Sequence, residues 1–148
     1  MVTRKPLSLP HIVRTTALLN CRDSGRFREL HELVTLWSKI TSSEHELAVL
    51  ANEIFAFVVK HDLQDEEIEA YISLAKAVAT EHRIDIASQR LQIFLLKDEE
   101  SQWLNYCIVL PEEYEVEHRW QLNSVLTAKI VGTAIPLKLK KNVVIMFK

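Results

Sequence analysis

Two apolar stretches in the last third of the chain constrain the fold more than any other feature. They cover residues 90–96 and 102–110, and apolar side chains recur in them with a period of two residues. This period predicts β-strands, and the polar residues 97–101 between them predict a hairpin loop. Because apolar side chains occupy both faces of the first strand, we expect it to be covered on both sides.

A two-stranded hairpin is marginal in water, so further elements must close a core around it. The apolar segment 142–147 is a candidate for one of them. Residues 111–118 are rich in glutamate and predict an exposed loop. The segment 120–135 is ambiguous and is read as a short strand followed by a helical turn, which Pro136 limits.

The part before residue 89 has helical periodicity. Residues 1–10 predict an arm, residues 11–20 predict a short helix, and the turn-forming residues 21–25 end it. A second helix is predicted from Phe27 to Ile40, because apolar residues recur there at spacings of three and four.

Two further helices follow. Ser43 and Glu46 have the spacing of a capping box, which predicts the start of a helix that stops near His61. Residues 68–82 carry another apolar stripe, and the acidic residues 62–67 lie between the two helices. This order predicts an antiparallel helical hairpin with acidic residues at its bend.

These patterns define the predicted fold class. We expect an α+β protein, with N-terminal helices that include the helical hairpin, followed by a small, mainly antiparallel β-sheet domain. The helical region is predicted over residues 1–88 and the β-rich domain over residues 89–148.

Composition and motifs argue against most enzyme classes. The net charge is −2 with 26% charged residues, and no apolar run approaches the length of a membrane span. Cys21 and Cys107 are far apart, as expected for reduced thiols in a cytoplasmic protein. We find no glycine-rich phosphate loop, no metal-ligand spacing and no nucleophile motif, so we predict a non-enzymatic protein without a cofactor of its own.

The acidic bend is the feature to which a mechanism can be attached. Four carboxylates, Asp62, Asp65, Glu66 and Glu67, would cluster there, and magnesium prefers such hard oxygen ligands. A partner could supply the remaining ligands of a shared magnesium ion. The alternative is structural: the aspartates can cap the second helix of the hairpin, and the glutamates can stabilise its positive end.

The order of these elements resembles a known family. Asp62-Leu63-Gln64-Asp65 at the tip of a helical hairpin, followed by a small sheet domain, is similar to the Gre transcript-cleavage factors and the regulator of nucleoside diphosphate kinase. In the C-terminal part, the resemblance to the FKBP-like domain of that family rests on four segments, which begin at Leu91, Tyr106, Asn123 and Asn142.

The resemblance implies a cytoplasmic regulator that binds RNA polymerase at its secondary channel, with the sheet domain on the channel rim. Carried over to this chain, the tip acids that help hold magnesium would be Asp62 and Asp65. Trp103, Tyr106 and Trp120 are the aromatic side chains predicted to contact the partner. We expect no membrane association, and the acidic balance argues against direct binding of nucleic acid.

Two other functions remain open at this point. The chain could be a protein-protein adaptor or inhibitor unrelated to polymerase, in which the helices present a groove. It could also be a peptidyl-prolyl isomerase, which only the FKBP-like topology suggests and which fold-level analogy alone does not license.

Overall fold

The computed structural model describes residues 15–148, and this part of the chain is α+β, as predicted. It divides into two compact units, with the boundary between Asp65 and Glu66. Separate domains over residues 1–88 and 89–148 remain a prediction. The predicted arm, and the first part of the helix predicted at residues 11–20, lie outside the described residues.

The first unit contains three helices, α1 (Thr15–Ser24), α2 (Phe27–Thr41) and α3 (Ala48–Lys60). The predicted position of α2 is confirmed. The turn predicted at residues 21–25 is wrong, because residues up to Ser24 stay helical and only Gly25 takes a left-handed backbone, with φ of 84°. Glycine adopts this conformation without a steric penalty, so the helix ends there. The core comprises apolar residues from all three helices, including Leu18, Leu30, Val34, Ile54 and Phe57.

The start of α3 differs from the prediction. The helix begins at Ala48 after Leu47, and no side chain caps it, so the predicted capping box of Ser43 and Glu46 is wrong. Instead, the ring nitrogen Nδ1 of the buried His45 accepts a hydrogen bond of 3.0 Å from the backbone N–H of Leu47.

The second unit combines helices and a sheet. After α4 (Asp65–Glu81), whose first residue belongs to the first unit, the chain makes a short 3₁₀ turn at Ile86–Ser88. The elements that follow are β1 (Arg90–Lys97), β2 (Gln102–Val109), α5 (Val116–Val131), α6 (Leu137–Asn142) and β3 (Val143–Phe147).

The sheet has the order β1-β2-β3. The predicted hairpin is confirmed, because β1 and β2 pair antiparallel with Ile93 opposite Tyr106. The segment predicted as terminal and apolar forms β3, but it pairs parallel to β2, so the sheet is mixed. A parallel pair needs a crossover connection, and α5 and α6 supply it.

The segment after residue 115 is more helical than predicted. Residues 116–131 form the single helix α5, so the exposed loop predicted to residue 118 ends earlier and the predicted short strand is wrong. Leu122 and Leu126 are the buried residues of α5, and one turn of helix separates them. Their spacing of four fits a helix face, whereas the other apolar residues of this segment obscure the period.

The predicted coverage of β1 on both sides is also wrong. β1 is an edge strand, and only Ile93 in it is buried. The central strand β2 is the one covered on both faces, with five consecutive buried residues from Leu104 to Ile108. The position of a strand within the sheet therefore decides its burial, and this position depends on where β3 pairs.

The β1–β2 loop closes without glycine. The Asp98 carboxylate accepts hydrogen bonds from the backbone N–H groups of Glu100, at 2.9 Å, and Ser101, at 2.7 Å. These bonds favour the charged form and lower the pKa of Asp98 below its usual value.

None of the helices in residues 15–148 is long and apolar enough to span a membrane.

Candidate functional site

The acidic connection begins where α3 ends. The backbone N–H of Asp62 donates to the carbonyl of Val59 at 3.2 Å, and the N–H of Leu63 donates to the carbonyl of Val58 at 2.8 Å. This pair of bonds is a Schellman motif, which places Asp62 at the left-handed position with φ of 53°. Aspartate tolerates this conformation better than most residues, so the motif forms without a glycine.

Asp65 lies three residues further on, and its carboxylate has a structural role. It is 6% exposed, and its two oxygens accept hydrogen bonds from the backbone N–H groups of Arg28, at 2.9 Å, and Glu29, at 3.0 Å. These N–H groups belong to the first turn of α2, where no carbonyl within the helix can accept from them. The residue before α2, Arg26, makes no side-chain cap. Asp65 therefore caps α2 from a distant part of the chain.

Arg28 makes the reciprocal contact. Its Nε donates to the carbonyl of Leu63 at 2.9 Å, and its Nη2 is 3.5 Å from the carbonyl of Val58, near the end of α3. Carbonyl groups at the end of a helix lack donors within the helix, so a guanidinium group there is stabilising. The hydrogen bonds of Arg28 and Asp65 together hold the acidic connection after α3 against the start of α2.

The two predicted tip acids therefore have different surroundings. Asp62 is exposed, and its Oδ1 accepts a hydrogen bond of 3.1 Å from Nε2 of Gln64. Asp65 is buried, with both oxygens engaged. Within residues 15–148, no group of three or more histidine, cysteine, aspartate or glutamate side chains is placed to hold a metal ion. The alternative prediction, that an aspartate of this connection caps a helix, is closer to what is observed. However, Asp65 caps α2 and not α4, the helix that it begins.

The two faces of the sheet differ in exposure. One face, which includes Leu104, Tyr106 and Ile108, is buried, and Tyr106 is only 1% exposed. Because side chains alternate along a strand, Trp103 lies on the opposite face. The strand register places five more apolar side chains on that face, which we call the outer sheet face: Phe94, Leu96, Val109, Val144 and Met146.

The outer sheet face is only partly covered. Trp103, Phe94 and Met146 are half-buried, and Leu96 and Val144 are exposed. Asn105 and Cys107 lie between them and are buried. The predicted contact residue Trp103 is therefore on a surface of suitable composition, whereas Tyr106 belongs to the core.

The edge of the sheet at β3 is occupied by a side chain from α5. The Asn123 Nδ2 donates to the carbonyl of Phe147 at 2.8 Å, and the Asn123 Oδ1 accepts from the backbone N–H of Phe147 at 2.8 Å. The amide thus takes the place of a neighbouring strand at this residue, which protects an edge that would otherwise present unpaired backbone groups.

Trp120 is on the outward side of α5 and is 71% exposed. It does not lie on the sheet, so the three predicted aromatic residues do not form one site. The prediction that Trp120 contacts a partner stays a prediction, and no sequence pattern indicated the roles of Arg28 and Asn123. No local pattern identifies those two, because their partners are 30 or more and 24 residues away.

The cysteine thiols are buried and unreactive in character. Burial, followed by the nearby Glu29 carboxylate, raises the pKa of Cys21 to about 12, and burial also raises the pKa of Cys107. A thiol is a nucleophile only as the thiolate. Neither cysteine is therefore activated for catalysis.

Comparison with protein families found no family that matches this chain, and comparisons with curated proteins and with solved structures found no match either.

Proposed function

We propose that this chain is a non-enzymatic cytoplasmic regulator that docks on bacterial RNA polymerase, as the Gre-like resemblance implies. The observation that carries the docking role is the outer sheet face. It presents the aromatic rings of Trp103 and Phe94 together with aliphatic side chains on a scaffold of paired strands. Partly exposed aromatic and aliphatic groups held in this way are typical of protein-binding surfaces.

The charges around the outer sheet face fit a protein partner. Its residues on β2, Trp103, Asn105 and Cys107, carry no charge, whereas Arg90 lies on the same face at the start of β1. The Lys148 Nζ donates to Gln92, which is also on this face. An uncharged centre with a charged rim is the usual arrangement of a protein interface. Polymerase would contact the partly exposed apolar side chains around Trp103, and the rim charges would set the orientation.

The acidic connection supports docking without RNA cleavage. Asp65 is buried, and movement of its carboxylate outward to a shared magnesium ion would break its hydrogen bonds to two backbone N–H groups at the start of α2. Removing the acceptor from buried donors costs about 1–3 kcal/mol for each donor. Asp62 alone offers one carboxylate, which is a weak magnesium ligand.

A second candidate is an adaptor or inhibitor that uses the same face for another protein. The burial of Asp65 favours this candidate, because it removes one of the two acids on which the likeness to cleavage factors depends. Both candidates use the outer sheet face, and they differ in the partner.

The test is direct binding of the full chain to purified bacterial RNA polymerase. We expect saturable binding that Trp103→Ala weakens at least about tenfold, which corresponds to about 1.4 kcal/mol. The matched control is Val49→Ala, which removes an exposed apolar side chain from the first unit. Binding of both variants with equal affinity would exclude the outer sheet face. If polymerase does not bind at all, the adaptor proposal replaces the first.

A cleavage assay on backtracked polymerase separates docking from chemistry. We expect the wild-type chain to bind without stimulating cleavage of the RNA. The variant Asp62→Asn removes the charge, and asparagine tolerates the left-handed backbone at this position. If the wild type stimulates cleavage and this variant does not, the acidic connection acts in the reaction.

A further inference from the structure

The outward side of α5 carries a stripe of exposed residues that the proposed function does not use. Val116, Trp120 and Val131 are 78%, 71% and 75% exposed, and Ser124 and Thr127 lie between them. Spacings of four, four, three and four place these five residues along one side of the helix. We call them the α5 stripe. The buried Leu122 and Leu126 are on the opposite side.

The α5 stripe has an arrangement that can pair with itself. Its bulky apolar groups are near the ends, and its small hydroxyl residues are near the middle. When two such helices lie antiparallel, Val116 of one faces Val131 of the other, and Trp120 faces Thr127. Small residues where the helices cross allow close approach, so the indole can cover the second helix.

The charge along this part of the chain is complementary in the same orientation. Four exposed glutamates, Glu112, Glu113, Glu115 and Glu117, lie before and in the first turn of α5. No aspartate or glutamate occurs between residues 118 and 148, and the exposed Lys140 and Lys141 follow the other end of α5. In an antiparallel pair, the acidic start of one helix lies toward the basic end of the other.

We propose that a second copy of this chain docks on the α5 stripe, with α5 of each copy antiparallel and a two-fold axis near Ser124. A two-fold axis brings the same surface from each copy together, so each contact is made twice. The acidic group and the lysines then attract across the interface at both ends. This inference goes beyond the proposed function and requires no polymerase.

The dimer is expected to be weak and reversible. The 16 residues of α5 extend over about 24 Å, and three bulky apolar side chains from each copy make a small interface. Because part of the attraction is between exposed charges, added salt weakens the dimer.

The test is sedimentation equilibrium of the full chain over a range of concentrations, at low and high salt. We expect a monomer–dimer equilibrium, weaker at high salt, and a dissociation constant that rises at least about tenfold in Trp120→Ala. Trp120 is mostly exposed, so this variant should fold, which circular dichroism can check. Val49→Ala, an exposed apolar change outside α5, should leave the equilibrium unchanged.

Charge reversal tests the orientation. One variant carries Glu112→Lys and Glu113→Lys, and the other carries Lys140→Glu and Lys141→Glu. Each variant alone should dimerise more weakly than the wild type, and an equimolar mixture should form the heterodimer. A chain that is monomeric at every soluble concentration would overturn the proposal. A dimer that neither Trp120→Ala nor charge reversal affects would also overturn it. So would the finding that an unrelated protein binds the α5 stripe while the chain itself does not associate.

Discussion

Asp65 accepts hydrogen bonds from two consecutive backbone N–H groups, those of Arg28 and Glu29, 37 and 36 residues earlier in the chain. Arg28 in turn donates from its side chain to the carbonyl of Leu63. Hydrogen bonds from both residues therefore connect the start of α2 with residues 63–65. The acid that the resemblance implies as a magnesium ligand therefore stabilises the start of a helix.

Asp65 and Asp62 should differ in their contribution to stability. Asp65→Ala leaves two donors in the first turn of α2 without their acceptor and should lower the free energy of unfolding by about 2–3 kcal/mol. Asp62→Asn changes an exposed residue to one that tolerates the left-handed backbone, so its effect should stay within about 0.5 kcal/mol. Urea unfolding measures both. Equal effects would contradict the assigned capping role.

Asn123 should stabilise the edge of the sheet. Asn123→Ala removes both hydrogen bonds to the Phe147 backbone and should cost about 1–3 kcal/mol in urea unfolding. The matched control is Gln121→Ala, an exposed change in the same helix. If the control costs as much as Asn123→Ala, the loss belongs to α5 itself and not to the edge contact.

The variant Asn123→Asp adds a pH dependence with a definite sign. Its charged carboxylate would face the carbonyl of Phe147, so the folded-state pKa is raised above the unfolded value. The protonated form can donate to that carbonyl, so the stability relative to the wild type should rise as the pH falls toward about 4. A relative stability independent of pH would show that the carboxyl group has moved away from β3.

The cysteines should be protected in the folded chain. The pKa of Cys21 is raised to about 12 and that of Cys107 is raised, so both thiols stay protonated at pH 8, where unfolded thiols begin to ionise. In the folded protein, the two thiols should react with iodoacetamide only as fast as local unfolding exposes them. In urea, they should react at once. Mass spectrometry distinguishes the two sites, and rapid labelling of Cys21 in the folded chain would contradict its burial.

The same shifts predict how stability depends on high pH. Both thiols have folded-state pKa values above their unfolded values. Their contribution is therefore fully present below about pH 9 and is lost as the pH rises toward the folded values. The variant Cys21→Ser lacks the Cys21 thiol, so its free energy of unfolding should fall less as the pH rises.

Local periodicity predicted the elements that a single pattern defines. The hairpin of β1 and β2 and the helix α2 follow from periods of two and of three to four, and the structure confirms them. The start of α3 could not be predicted, because Ser43 and Glu46 have a suitable spacing but the buried His45 determines the local hydrogen bonding. The helix α5 was missed since Val116, Trp120 and Val131 place apolar groups on its exposed side.

The candidate site was less predictable than the fold. The acidic residues at the connection are visible in the sequence, but their surroundings depend on the contact between Asp65 and α2, which no short-range pattern encodes. Likewise, alternation along β2 assigns Trp103 and Tyr106 to opposite faces, but it does not show which face belongs to the core, and the structure buries the face of Tyr106.

The central claim is that the outer sheet face docks on RNA polymerase. The most direct measurement is equilibrium binding of the full chain to purified bacterial polymerase, with the wild type, Trp103→Ala and Val49→Ala compared side by side. The account predicts binding by the wild type and by Val49→Ala, with a clear loss for Trp103→Ala. An absence of wild-type binding would contradict the account.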